Sequence, residues 1–282
     1  MSQQRVVGGV CAACGVGLVA VFFAGRVITQ GPLFNLLGLA FWVLLALLIG
    51  GSLYYRGLRL RARELVEQRW AREHGWSYTE RDDSVIRGVT GLPFISGAGS
   101  GRRDMAENVL RKLRTLPVAV PGAPLRDGAP AVELETVSFT YRWVVRQSYG
   151  IKSYAEVFVT AVRLPAALPH LTLMREDVAS AAAKKLGVDD HQLESVEFND
   201  QYLVWTDDPR SAHDVLHASL MRRLLEPDLA GLPWVIDQGW IRTWDYFGPR
   251  ANVVDLHMHL LDEVVTSIRR YVWQDALAVD RA

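Results

Sequence analysis

The sequence predicts an α+β protein: an N-terminal two-helix transmembrane hairpin followed by a mostly antiparallel α+β domain in the cytoplasm. Three observations carry this. Val6 to Ala24 and Pro32 to Tyr55 are long runs without a charge, each long enough to cross a hydrocarbon core of ~30 Å as a helix. The second run ends in Arg56, Arg59, Arg61 and Arg63, whereas the connection from Gly25 to Gly31 carries only Arg26. From Val132 onward, β-rich stretches alternate apolar with polar side chains and are interrupted by helical patterns.

The division that follows is residues 1–56 as the hairpin, with spans of about 6–24 and 32–55, residues 57–75 as a basic juxtamembrane helix, and residues 76–282 as the soluble α+β domain. The first span does not read as a cleaved signal peptide. Only Arg5 precedes it, the apolar stretch exceeds an ordinary signal core, and no clear small-residue cleavage site follows. Because positive residues stay on the cytoplasmic side, the hairpin reads with both termini inside. The expected address is the bacterial inner membrane, multi-pass. Tyr54 and Tyr55 suit the headgroup level, with Arg56, Arg59, Arg61 and Arg63 just beyond it against anionic lipid. Gly9, Ala13 and Gly17 recur every four residues in the first span and would let a second helix approach closely. The chain's own second span is the expected partner, with homodimerisation through the same stripe as the alternative.

Composition narrows the function classes. The 282 residues hold 31 Lys+Arg against 31 Asp+Glu, so nothing points to nucleic acid. Basic character comes mainly from arginine, since the lysines are only Lys112, Lys152, Lys184 and Lys185. Cys11 and Cys14 are the only cysteines. Inside an apolar helix they read as small packing residues rather than a redox or metal pair, and the rest of the chain has no disulfide to form.

Along the soluble portion, Leu58 to Glu73 continues the second span as a helix that Gly75 ends, and Trp76 to Asp83 reads as a short strand entering a turn. Gly88 to Gly101 is glycine-rich. It lacks the Gly-Lys-Ser/Thr ending of a phosphate loop and reads as a flexible surface loop. Pro117 to Pro130 is a second loop. Val132 to Arg146 and Ser153 to Leu164 form a hairpin around Gln147 to Gly150, and Leu171 to Met174 a third strand. Glu176 to Leu186 is helical, with Gly187 as its C-cap. Ser195 to Phe198 and Tyr202 to Thr206 read as strands around Asn199-Asp200. Asp208-Pro209 opens a helix that runs to about Leu225. Trp234 to Asp237 and Trp240 to Trp244 form a hairpin closed at Gln238-Gly239, and Ala251 to about Gln274 a long amphipathic helix.

The sharpest chemical string is His213-Asp214-Val215-Leu216-His217, an H-D-x-x-H on an expected helix. The zinc-protease pattern H-E-x-x-H sets two histidines one turn apart on one metal with the acid as general base. Here His213 and His217 would be the ligands and Asp214 the base, but Asp is one methylene shorter than Glu and no third ligand is fixed. The competing reading puts His213 in the apolar arc around Leu216, Ala212, Leu220 and Leu224, and His217 at its edge. His257 and His259 diverge on a helix and do not share a metal. Trp234, Trp240 and Trp244 read as core, with a ligand platform as the alternative and Arg242 on the strand face of the last two. The complete reading is a membrane protein presenting a binding or scaffolding domain, with no cofactor expected, and lipid with anionic headgroups, a second copy or another protein as partner. A membrane-attached metal hydrolase is the alternative.

The run Arg72 to Phe94, REHGWSYTERDDSVIRGVTGLPF, resembles uncharacterised two-span membrane proteins of high-GC Gram-positive (actinobacterial) bacteria. So does Val196 to Leu224, with VEFNDQYLVWTDDPRSAHDVLHASLM, together with the strings WIRTW and IRRYVW. The resemblance implies membrane attachment and carries over no catalytic residue.

Overall fold

In the computed structural model, residues 32–87, 89, 91–94, 104–126, 128–148, 151–175, 190–245 and 250–279 are described. The chain divides into two compact units, Met1–Glu67 and Gln68–Ala282.

Helix α1 runs without a break from Pro32 to Glu73. Its C-terminus is a Schellman stop: Trp76 N donates to Ala71 O at 2.8 Å and Gly75 N to Arg72 O at 3.3 Å. Gly75 takes φ +70 there, a conformation that costs glycine nothing because it has no Cβ.

The second unit is built on one eight-stranded sheet. Its strands are β1 (Ser77–Arg81), β2 (Met105–Leu116), β5 (Val132–Ser148), β6 (Ile151–Arg163), β7 (Leu171–Arg175), β8 (Tyr202–Thr206), β9 (Trp234–Asp237) and β10 (Trp240–Asp245). They lie in the order β1-β2-β5-β6-β10-β9-β7-β8, and every pairing is antiparallel. A separate ribbon, β3 (Leu125–Arg126) with β4 (Ala129–Pro130), sits within the proline-rich connection. The short helices are α2 (Val196–Asn199), α3 (Pro209–Val215) and α4 (Ala218–Leu224), followed by α5 (Arg250–Ser267) and α6 (Arg270–Val279).

Side-chain alternation gives the sheet two different faces. Leu171, Leu173, Trp234, Ile236 and Ile241 point to the side of α3 to α6 and join Leu216, Leu220, Leu261, Val264 and Trp273 in the largest core. Val137, Phe139, Val157, Val159, Val235 and Trp244 point the other way, under Ile86 and Phe94 of the segment after β1. Tight turns fit their residues. Gln238 and Gly239 both have positive φ, 52 and 74, as the two-residue turn between β9 and β10 requires. Asn108, at φ 52, sits in the bulge where β2 slips against β5, and Tyr78 Oη donates to its Oδ1 at 2.8 Å.

The structure corrects the expected fold class and address. It is a mostly antiparallel β-sheet domain with few helices, and no two-helix hairpin is shown. Among the described residues no helix is long and apolar enough to cross a membrane. The multi-pass inner-membrane placement is corrected on that ground. Gly9, Cys11, Ala13, Cys14 and Gly17 lie outside the described residues, as do 176–189 with the helix expected there, most of the glycine-rich stretch, and the side chains of Arg56, Arg59, Arg61 and Arg63.

Three local expectations are also corrected. Ser195 to Phe198 is a cap and a turn of helix rather than a strand: Ser195 Oγ accepts from Phe198 N at 3.3 Å and starts α2. The helix expected from Asp208 to Leu225 is two helices, because Leu216 leaves helical geometry at ψ 53 and His217, at ψ 161, begins α4. The long C-terminal helix breaks between Ser267 and Arg270.

Candidate functional site

Two regions of the molecule are candidate sites, and the first is α1 itself. Trp42, Val43, Leu44, Leu47, Leu48, Ile49 and Leu53 are exposed large apolar side chains, Leu47 at 66%. Tyr54 and Tyr55 close the stretch, exposed at 70% and 49%, and the arginine-rich segment follows in the same helix. Isolated exposed apolar residues are ordinary, but contiguous ones mark an interaction surface.

The second surface is the sheet face turned away from α3 to α6. Arg242 on β10 is 3% exposed there. Its Nη2 donates to Asp237 O at 3.0 Å and lies 3.4 Å from Asp237 Oδ2. Its Nη1 has no hydrogen-bond partner among the described residues, and the guanidinium sits 5.9 Å from the centre of the Phe94 ring, an attraction through the ring quadrupole. Burial pushes the guanidinium below its ordinary value, against the pull of Asp237. Around this strut, His170 Nδ1 lies 3.8 Å from Asp237 Oδ1, His170 and Thr172 share a hydrogen bond at 3.0 Å, and Trp205 lies against the His170 ring at 4.4 Å. Trp240, half-buried, is crossed by Arg163 at 5.9 Å. Trp240 and Trp244 share the Arg242 face and Trp234 points to the opposite one.

The opposite face holds a buried polar chain. Ser138 Oγ donates to Val159 O at 3.3 Å and meets Thr160 Oγ1 at 2.8 Å, which meets His257 Nδ1 at 3.1 Å. With the Ser138 proton given to the carbonyl, Thr160 donates to Ser138 and His257 donates from Nδ1–H, which assigns the tautomer. His257 is 0% exposed and stacks on Phe158 at 5.7 Å; Nε2 has no partner among the described residues. Burial alone pushes its pKa down to about 4. This is a core histidine and not a ligand pair with His259, which instead accepts from Arg223 Nη2 at 2.9 Å within the Arg223–Glu226–Asp228–Glu263 surface hub.

The residues of the H-D-x-x-H string are directed to separate partners. His217 is the N-cap of α4: its Nδ1 accepts from Leu220 N at 3.3 Å and from Ser219 Oγ at 2.8 Å, and its Nε2 donates to Ser267 O at 3.0 Å. Both nitrogens are engaged, so no lone pair remains for a metal. Asp214 Oδ1 accepts from Tyr271 Oη at 2.7 Å. His213 faces His191, not His217. Among the described residues no group of three His, Cys, Asp or Glu could hold a metal ion. The sequence singles out Arg242 beside the tryptophans but shows neither its pairing with Asp237 nor His191. The 191–213 pairing joins residues from separate elements, which no local motif reveals.

No protein-family model matches the chain, and no curated protein matches it. Among solved structures, the mycobacterial trehalose monomycolate transport factor A, TtfA, aligns over 72% of this chain and 94% of its own, at 10% identity and a TM-score of 0.37.

Proposed function

We propose that the chain is a membrane-associated binding protein: α1 attaches it to an anionic lipid surface, and the sheet domain is held there as a non-catalytic binding or scaffolding domain. One observation carries the reading. Trp42, Val43, Leu44, Leu47, Leu48, Ile49 and Leu53 of α1 are exposed large apolar side chains, and the same helix continues directly into four arginines. Apolar side chains removed from water gain roughly 25 cal/mol per Å², and each arginine near an anionic surface adds about 1 kcal/mol. The H-D-x-x-H string is distributed over caps and hydrogen bonds, so the proposal assigns it no metal-hydrolase role.

The test is flotation of the full chain with vesicles. With neutral lipid, binding is expected through α1 alone. Adding anionic lipid strengthens it, and replacing Arg56, Arg59, Arg61 and Arg63 together by Ser abolishes the gain. Binding that ignores both lipid charge and salt contradicts the electrostatic half of the proposal. Self-association of α1 in place of lipid binding would appear as a defined oligomer that excludes vesicles, and would contradict the other half.

A further inference from the structure

We infer that His191 and His213 form a surface binding site for a divalent transition-metal ion of the zinc, copper or nickel class. The two Nε2 atoms lie 3.3 Å apart, with the rings at 85° and their centres 5.2 Å apart. Two imidazole nitrogens at ~2.0–2.1 Å from one tetrahedral metal are ~3.3–3.4 Å from each other, so the observed separation is the span across a shared metal. As a direct N–H···N bond, the same distance lies at the weak end of the hydrogen-bond range.

Both side chains are held on braced supports. His191 N donates to Val204 O at 2.8 Å, and Val204 N donates to Asp190 Oδ1 at 3.0 Å, which fastens the loop to β8. Farther along the loop, Asn199 closes it by pairing with both Leu193 N and Leu193 O. His213 stands on α3, which Asp208 caps and the fully buried Ala212 anchors. Neither ring is sealed in the core: His191 is half-buried and His213 exposed. A hydrated ion therefore reaches the pair without opening the fold.

Neutral imidazole is a borderline ligand that suits zinc, copper and nickel better than magnesium or calcium. With no third side chain completing a set among the described residues, the remaining positions belong to water. The bound ion clips the 190–195 loop to α3. Binding needs both Nε2 lone pairs, so each imidazole must carry its proton on Nδ1, and acid releases the metal.

The experiment is calorimetric titration of the full-length protein with Zn2+ at neutral pH, repeated with His191→Ala, His213→Ala and His217→Ala, together with electron paramagnetic resonance after loading with Cu2+. The expected results are one Zn2+ bound at a site that weakens at least tenfold in either His191→Ala or His213→Ala and is unchanged in His217→Ala, and a Cu2+ spectrum showing two equatorial nitrogens. Circular dichroism of each variant confirms that the fold is retained, which both partly accessible positions permit. No Zn2+ binding in the parent chain, or affinity that survives loss of His191 or His213, overturns the inference.

Discussion

The same residue types meet opposite fates in α1 and in the sheet domain. Leu44 and Leu47 of α1 stand in the open, while Leu171 and Leu173 of β7 are 1% and 0% exposed. The difference lies in periodicity. Along β7 and β9 alternate side chains share a face, so Leu171, Leu173, Trp234 and Ile236 can all be buried by one layer of helices. In α1 large apolar residues occupy every side of the helix from Trp42 to Leu53. A helix apolar all round has no polar face to give to water. Under the proposed lipid attachment, part of that apolar surface leaves water.

This comparison can be broken most directly in the core. Trp234→Ala removes a fully buried indole from the main cluster, and a loss of 3–5 kcal/mol is expected from such truncations. Denaturant unfolding followed by circular dichroism measures it. Leu47→Ala is expected to leave the unfolding of the sheet domain unchanged within about 0.5 kcal/mol and to weaken vesicle binding instead. If the two variants behaved alike, the distinction between the regions would fail.

A second test uses the buried polar chain. His257 titrates at its ordinary value near 6.5 once unfolded, and near 4 in the fold. The unfolded state therefore binds the proton that the folded state refuses. The stabilisation is full above about 6.5 and is lost as pH falls from there toward 4, by up to about 3 kcal/mol. His257→Phe is expected to flatten this part of the pH profile. An unchanged profile would show that another group governs it. Vesicle binding by α1 should not follow this titration.

Smaller effects are expected at the tie between β2 and α5. Arg114 Nη1 and Nη2 donate to the Asp262 carboxylate at 2.6 and 2.7 Å, and Arg114 is largely buried. Asp262→Asn keeps the shape and removes the charge, for an expected cost of about 1–2 kcal/mol. Denaturant unfolding reads this, and no cost at all would mean that the geometry contributes only positioning. Near the other face, Arg242→Met exchanges a partly satisfied buried cation for an apolar chain of similar length. A change within about 1 kcal/mol of zero is expected, because removing a buried charge offsets much of what its contacts supply. A large loss would give the Asp237 contact more weight than its 3.4 Å distance suggests.

Much of the sheet is legible in the sequence because its signals are local. The β5–β6 hairpin shows in the alternation around Val137 to Tyr141, and β9–β10 in the Gln238-Gly239 turn between two tryptophan-rich strands. Strand β2 is not legible. Met105 to Leu116 is rich in Ala, Glu, Leu, Arg and Lys, which favour helix, and the bulge at Glu107/Leu110 breaks the period-2 pattern. Pairing with β1 on one side and β5 on the other overrides the local preference. The H-D-x-x-H string misleads for a related reason. Its spacing is helical, but His217 serves better as the cap of a new helix than as a residue in the last turn of the old one. The partnership of His213 with His191, and of Arg242 with Phe94, depends on tertiary placement that no sequence window contains.

The central claim is that α1, and not the sheet, meets the lipid. Amide hydrogen exchange of the full chain, with and without vesicles containing anionic lipid, tests it residue by residue. The account predicts added protection concentrated between residues 40 and 63, with the amides of β5, β6 and β10 unchanged. Protection that appears on the sheet and spares α1 would contradict it.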